Sequence, residues 1–203
     1  NADQFGIKVK GVEFDIKKIV DRSRKVSSQL SSGIDHLMKK NKIDVIKGTA
    51  KILSTGKVSV ASNKIEAKHI IIATGARARI LPGLEPDGDL IMTYKEAMTP
   101  KKFPKKLLVV GSGAIGVEFA SFYRNMGAEV TIVEIADKIM PVEDNEVSAF
   151  MKKSFESQGM RILVGAKLDS VEKQKNKVTA KIMNGKKEIK EDFDSVIMAV
   201  GIQ

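Results

Sequence analysis

A glycine-rich hexapeptide, Gly111-Ser112-Gly113-Ala114-Ile115-Gly116, is the sequence feature whose residue types and spacing point most directly to ligand binding. It follows an apolar stretch, residues 106–110, and opens a helical pattern that ends near Gly127. In such a G-x-G-x-x-G loop the first glycine permits a tight turn, the second lets the backbone approach a pyrophosphate, and the third lets helix and strand pack closely. The start of the helix offers free N–H groups and partial positive charge to the diphosphate. The hexapeptide therefore predicts a dinucleotide-binding loop.

An acidic residue, Glu134, ends the next predicted strand, 18 residues after Gly116. A carboxylate at this spacing accepts hydrogen bonds from the ribose hydroxyls of a dinucleotide and repels a 2′-phosphate. No arginine lies within residues 135–141 to receive such a phosphate. The pattern favours NAD over NADP, the alternative being an exposed acid at a strand end without a ligand.

Other reactive side chains are scarce. The chain contains no cysteine, which excludes thiol chemistry within these 203 residues. The two histidines, His36 and His69, have no ligand cluster around them in sequence, so both are interpreted as structural and no metal site is predicted. Ser112 has no base nearby in sequence and is not interpreted as a nucleophile.

Composition narrows the function classes further. Apolar residues make up 42% and charged residues 30%, as in a folded soluble domain. The net charge is +10, but the lysines are scattered and aromatics make up 5%, which argues against nucleic-acid binding. No apolar run reaches the roughly 18 residues that span a bilayer, and no signal-peptide pattern precedes the first helix. We predict neither a nucleic-acid partner nor a membrane segment.

The spacing of apolar residues predicts the elements that would position the loop. Helices are expected at residues 15–40, with Asp15 as N-cap, 114–126 and 145–158, and one or two helical turns at 94–98. Strands are expected at residues 45–47, 51–53, 57–60, 64–66, 69–73, 106–110, 129–134, 161–164, 168–173, 177–183, 187–191 and 195–199. Asn184-Gly185 is typical of a hairpin turn. This order predicts an α/β fold: a Rossmann-like NAD-binding domain with a parallel sheet plus a three-stranded antiparallel sheet.

An internal repeat predicts that part of the first repeat copy is missing from this chain. Residues 45–75 and 161–201 each hold a strand, a small antiparallel set and an apolar strand, ending in Ala73-Thr74-Gly75 and Ala199-Val200-Gly201. A glycine-loop βαβ unit precedes the second copy, but only a long helix precedes the first. We therefore expect a truncation on the N-terminal side, which would leave residues 69–73 as an unpaired apolar surface.

Several segments resemble the pyridine nucleotide-disulphide oxidoreductase family, and within it the members that oxidise dihydrolipoamide. They are residues 31–34 (SSGI), 48–50 (GTA), 70–77 (IIIATGAR), 107–118 (LLVVGSGAIGVE) and 130–134 (VTIVE). The resemblance implies FAD and NAD as cofactors, a homodimeric parent, and dihydrolipoamide or the lipoyl domain of a 2-oxo acid dehydrogenase complex as partner. It implies a cytoplasmic location, or the mitochondrial matrix in a eukaryote.

The resemblance also assigns residues and domains. It implies a partial FAD-binding domain at 1–76, a connecting segment at 77–106 and an NAD-binding domain at 107–203. It implies that Glu118 lies near the flavin–nicotinamide contact and that Ala114 lies beside the nicotinamide pocket. The implied FAD contacts are Ala50, Thr74, Gly75 and Ala76, and the implied NAD contacts are Gly111, Ser112, Gly113, Ala114, Ile115, Gly116, Val117, Glu118, Glu134, Leu168 and Gly201.

Four parts that such enzymes need are absent from this sequence: the flavin glycine loop, both redox cysteines, a second flavin-contacting segment and a C-terminal His–Glu base pair. The chain by itself is therefore expected to be catalytically inactive, to bind NAD weakly and not to bind FAD. Two alternatives remain open at this point: another NAD(P)-linked flavoenzyme of the same family, or a non-catalytic NAD-binding module.

Overall fold

The computed structural model describes residues 5–8, 11 and 13–203. Residues 1–4, 9, 10 and 12 of the first predicted domain lie outside this part of the chain. Contacts divide the chain into two compact units, one formed by residues 76–203 with the described residues up to residue 20, and the other by residues 21–75. The elements are α1 (Ile16–Lys40), β1 (Ala50–Ser54), β2 (Lys57–Val60), β3 (Asn63–Glu66), β4 (Ile91–Met92), α2 (Tyr94–Ala97), β5 (Lys106–Val110), α3 (Ala114–Asn125), β6 (Glu129–Val133), α4 (Asn145–Ser157), β7 (Arg161–Leu163), β8 (Ala166–Lys173), β9 (Val178–Asn184), β10 (Lys187–Phe193) and β11 (Ser195–Met198).

A five-stranded parallel sheet in the order β4-β11-β5-β6-β7 forms the centre of the larger unit. Its strands read as short apolar runs because helices or a second sheet cover both faces, as is usual for parallel sheets. Helix α3 connects β5 to β6, and α4 connects β6 to β7. The carboxyl ends of β5, β6 and β11 therefore meet at one edge, where ligands bind in open α/β sheets.

Alternate residues of the parallel strands enter two different cores. Leu107 and Val109 of β5 pack in a cluster with Val117 and Tyr123 of α3. Leu108 and Val110, which point to the opposite face, join a second cluster that contains residues of β8, β9 and β10, namely Leu168, Val178, Ala180, Ile182 and Phe193. The larger unit is thus layered as helices, parallel sheet and antiparallel sheet.

The antiparallel layer is a meander in the order β10-β9-β8. Asn184 pairs with Lys187 across a tight turn in which Gly185 has φ +60°, at the place where the Asn-Gly pair predicts a hairpin. The parallel sheet and this three-stranded sheet confirm the predicted α/β fold class.

The smaller unit holds most of α1 and the three-stranded antiparallel sheet β1-β2-β3. Asp15 caps α1 as predicted, because its Oδ1 accepts a hydrogen bond from the Lys18 N–H at 3.1 Å. No residue of α1 is buried, and Val26, Leu30, Ile34 and Leu37 are all exposed. The apolar spacing therefore identified the helix correctly although its apolar side is uncovered in this chain.

Two predicted strands are wrong. Residues 45–47 and 69–73 are outside any strand, and Ile71 and Ile72 are 91% and 70% exposed. An apolar run becomes a strand only when a neighbouring strand satisfies its N–H and C=O groups, and no described strand pairs with either segment. The expectation that residues 69–73 form an unpaired apolar surface is confirmed.

The connecting segment contains one strand that sequence patterns missed, β4, which pairs with β11. Asp87 shapes the turn before it, since its Oδ1 accepts hydrogen bonds from the N–H groups of Asp89, Leu90 and Ile91 at 2.9–3.0 Å. Its Oδ2 lies 2.8 Å from Lys173 Nζ. Burial acts to raise the pKa of Asp87, but the hydrogen bonds from Lys173 and the backbone outweigh it, and the pKa falls from 3.8 to about 2.

We expect Asp87→Asn to lower the free energy of unfolding by about 1 kcal/mol at pH 7, a modest value because Asp87 is partly exposed and solvent screens the pair. Since the folded-state pKa is lowered, the carboxylate stabilises the fold fully above its unfolded pKa of 3.8, and the difference should shrink as the pH falls towards 2. Urea midpoints between pH 7 and pH 2 measure it. The exposed neighbour substitution Asp89→Asn is the control and should keep the original pH dependence.

Candidate nucleotide-binding site

The predicted glycine loop joins β5 to α3 at the carboxyl edge of the parallel sheet. Gly111 has φ +97°, and a Cβ at this position would lie 2.3 Å from the carbonyl oxygen of Ala199. Its N–H donates to the Val133 carbonyl at 2.8 Å. Only glycine accommodates both the left-handed backbone and the close approach of β11, so the first glycine has the turn-forming role predicted for it.

Helix α3 begins without a side-chain cap. Gly113 is its N-cap residue and makes no capping hydrogen bond, whereas Asp144 caps α4 by accepting from the N–H groups of Glu146 and Val147. The first N–H groups of α3 have no intrahelical partner and lie at the positive end of the helix dipole. A Cβ on Gly113 would meet no atom within 4 Å, so the backbone here borders open space. This arrangement suits a diphosphate.

Gly116 packs α3 against the loop. A Cβ at this position would lie 2.0 Å from the Gly111 carbonyl oxygen and 3.4 Å from the Ala199 Cβ. The third glycine thus permits close packing of helix and strand, and does not itself line the cleft described below.

Glu134 follows β6 and is 6% exposed. Its Oε2 accepts hydrogen bonds from the Ser112 N–H at 2.8 Å and the Ser112 hydroxyl at 2.7 Å. Its Oε1 accepts from the Ala136 N–H at 2.8 Å. The carboxylate of Glu134 is therefore held against the glycine loop. Glu134 is not the exposed strand-end acid that was the alternative interpretation.

These elements border a cleft of about 630 Å³, within the range of small-molecule sites. Gly111 to Ile115, Glu134, Leu168 and Gly201 all line it, so the structure brings most of the predicted NAD contacts together. Val117 is buried, Glu118 is exposed, and neither lines the cleft. Residues that sequence reasoning missed are Arg79, Leu81, Val110, Val133, Ile135, Pro141, Ala166, Lys167, Ala199, Val200 and Ile202.

Arg79 and Leu81 reach the cleft from the connecting segment. Arg77 and Gln203 exchange backbone hydrogen bonds, and the Arg79 N–H donates to the Gly201 carbonyl. Ala78 pairs with Ile202. No local motif marks this pairing, because it joins residues more than 100 positions apart. Lys167 sits at the start of β8, and its sequence neighbours give no sign of a cleft position.

The predicted FAD contacts fall elsewhere in the chain. Ala50 begins β1, and Thr74 and Gly75 are exposed and outside any strand. Ala76 belongs to the larger unit. Their assignment stays a prediction.

Residues 5–8, 11 and 13–203 contain neither a metal-ligand cluster nor a membrane-spanning helix. No group of three His, Asp or Glu side chains there is placed to hold a metal ion. In the same part of the chain, no helix is both long and apolar enough to cross a membrane.

Comparisons with known proteins give consistent matches over nearly the whole chain. A family model described as pyridine nucleotide-disulphide oxidoreductase matches residues 5–203. The dihydrolipoyl dehydrogenase of Rhizobium etli is 46% identical over 220 residues, covering 98% of this chain and 46% of the relative. That of Zymomonas mobilis is also 46% identical, covering 100% of this chain and 45% of the relative. The chain thus spans about half the length of the curated relatives it matches.

Solved structures with the same fold include LpdA from Mycobacterium tuberculosis, with a TM-score of 0.85 at 26% identity, covering 99% of this chain and 45% of that one. The HOCl-induced flavoprotein disulfide reductase RclA from Escherichia coli aligns with a TM-score of 0.79 at 27% identity, covering 94% of this chain and 43% of the other.

Proposed function

The chain belongs to the pyridine nucleotide-disulphide oxidoreductase family, and from this premise we propose that it is the NAD-binding part of a dihydrolipoyl dehydrogenase. The observation that carries the proposal is the buried carboxylate of Glu134, held beside the uncapped start of α3 at the edge of one cleft. An anion-binding helix start and a sugar-binding carboxylate are the two elements that a dinucleotide requires.

In the proposed complex the diphosphate lies against the first N–H groups of α3, and the adenosine ribose lies against Glu134. Ala114 and Ile115 line the same cleft, together with Leu168 of β8. The negative charge of Glu134 disfavours a 2′-phosphate, which supports NAD rather than NADP. Val117 and Glu118 do not line the cleft, and their contacts with NAD stay predictions.

The whole protein is proposed to transfer electrons from dihydrolipoamide, free or on the lipoyl domain of a 2-oxo acid dehydrogenase complex, to NAD. When bound, FAD supplies the redox chemistry that links thiols to the nicotinamide. The residues of this chain bind and orient the dinucleotide and exclude water from the apolar wall of the cleft. The thiol steps need cysteines, and these 203 residues contain none.

For the other parts of the sequence, we propose a partial FAD-binding domain at 1–76 with contacts at Ala50 and 74–76, a connecting segment at 77–106 and the NAD-binding domain at 107–203. Homodimerisation and an aqueous cytoplasmic or mitochondrial-matrix location belong to the same proposal. The relatives' name, dihydrolipoyl dehydrogenase, supports the enzyme class of the whole protein, and the relative from Pisum sativum is named as mitochondrial.

Titration with NADH tests the function directly. The chain has no tryptophan, so the fluorescence of bound NADH can be followed without interference from indole. We expect saturable binding with a Kd in the high-micromolar range, and binding of NADPH about tenfold weaker, equivalent to about 1.4 kcal/mol. Tighter binding of NADPH would assign the chain to an NADP-linked relative, and no binding of either nucleotide would refute the proposal.

FAD provides the second arm of this test. The chain incubated with FAD should elute from gel filtration without flavin absorbance, because the flavin glycine loop is not among these residues. Flavin that remains bound at a 1:1 ratio would show that residues 1–76 form a complete flavin site.

A further inference from the structure

Ser112 borders the cleft, but its side chain is buried and is hydrogen-bonded to Glu134. Its Oγ lies 2.7 Å from Glu134 Oε2, and its own N–H donates to the same oxygen at 2.8 Å. Both hydrogen-bonding groups of one residue thus converge on a single carboxylate oxygen. This hydroxyl can therefore influence a ligand through Glu134.

The direction of the Ser112 hydroxyl hydrogen is set by Met140. The Met140 N–H donates to the Ser112 carbonyl at 3.0 Å and to its Oγ at 3.3 Å. Since Oγ accepts from Met140, its single hydrogen is directed to the remaining neighbour, Glu134. Met140 has φ +47°, an uncommon conformation for a residue with a side chain, and Ser148 Oγ donates to its carbonyl at 3.3 Å.

The Glu134 carboxylate has few acceptor positions left for a ligand. A carboxylate offers about four, two on each oxygen. Ser112 takes both positions of Oε2, and the Ala136 N–H takes one of Oε1. One acceptor position, on Oε1, remains for a ligand.

We propose that Ser112 is a positioning residue that determines sugar recognition: by occupying Glu134 Oε2 it restricts the carboxylate to one hydroxyl of the adenosine ribose instead of the 2′,3′ pair. The inference rests on the proposed binding of NAD. It assigns the specificity of the sugar contact to a residue that acts through the carboxylate.

Three probes test this in the unsubstituted chain: NADH, and its analogues that lack the 2′- or the 3′-hydroxyl of the adenosine ribose. One analogue should bind within about twofold of NADH. The other should bind at least tenfold more weakly, since it lacks the single hydrogen bond to the carboxylate. Similar losses for both analogues overturn the inference while leaving NAD binding intact, whereas failure of NADH itself to bind refutes the proposed function and the inference with it.

Ser112→Ala tests the mechanism by freeing the second acceptor of Oε2. In this variant both deoxy analogues should bind several-fold more weakly than NADH, and this ratio is the readout, whatever the affinity for NADH itself. Ser148→Ala is the matched control, because it removes a buried hydroxyl that contacts Met140 without altering Glu134. The control should retain the strong dependence on one hydroxyl only. If Ser148→Ala and Ser112→Ala change the relative binding of the analogues equally, the effect arises from the loop at Met140 and the inference is wrong.

Discussion

Gly116→Ala is expected to lower the free energy of unfolding by about 3 kcal/mol and to abolish measurable NADH binding. The added methyl would lie 2.0 Å from the Gly111 carbonyl oxygen, a backbone atom that cannot rotate away. Relief requires α3 to move off the parallel sheet, which would displace its first N–H groups from the cleft. Loss of stability and loss of binding therefore have one cause.

Gly113→Ala provides the matched comparison, because a methyl there meets no atom within 4 Å and the residue has φ −66°. We expect its urea midpoint, followed by far-UV circular dichroism, to stay within about 0.5 kcal/mol of the original. Its Kd for NADH should nevertheless rise about tenfold or more, since the methyl occupies the space through which a diphosphate approaches the backbone. Unchanged NADH binding in Gly113→Ala would show that the diphosphate does not lie at this loop.

Glu134→Gln is expected to weaken NADH binding at least tenfold and to reduce stability by about 2 kcal/mol. Both carboxylate oxygens accept hydrogen bonds from backbone N–H groups, those of Ser112 and Ala136. A glutamine has one acceptor oxygen, so its NH₂ group must face at least one of these donors and leave it without a partner. The substitution also removes the charge that disfavours a 2′-phosphate, so the preference for NADH over NADPH should narrow.

The control for this substitution is Glu129→Gln at the opposite end of the same strand. Glu129 has a largely exposed side chain and lies 3.9 Å from Lys106 Nζ, a surface pair that contributes at most about 1 kcal/mol. Fluorescence titration with NADH and NADPH, together with urea denaturation, measures both variants. Equal NADH binding by the two variants would mean that Glu134 has no role in binding the nucleotide.

Most of the element positions were predictable, because short apolar runs and glycine stops are local signals. The predicted strands at 57–60 and 106–110 match β2 and β5 residue for residue. The failures at 45–47 and 69–73 share one cause. Strand formation depends on a partner in space, and an apolar run contains no information on whether that partner is present.

The candidate site likewise contains residues that local patterns predicted and residues that they missed. The glycine loop and Glu134 were recognisable because the turn, the helix start and the strand-end acid occur at fixed spacing in one βαβ unit. Arg79 and Lys167 were not recognisable, because their places at the cleft depend on pairing and layering between distant segments. The continuous apolar run of β5 is typical of a strand buried on both faces, but which layer covers each face emerged only from packing.

The sequence by itself determined the α/β class, the glycine loop and the acid at the end of the next strand, since each follows from local backbone geometry and short-range periodicity. Only the tertiary structure decided that the hydroxyl of Ser112 and the amides of Ser112 and Ala136 occupy three acceptor positions of Glu134. Ser112 and Glu134 are 22 residues apart and meet because β5 and β6 pair in parallel, which no local pattern expresses. The hydrogen bonds of a buried carboxylate depend on the positions of all its partners, and only folding brings these partners together.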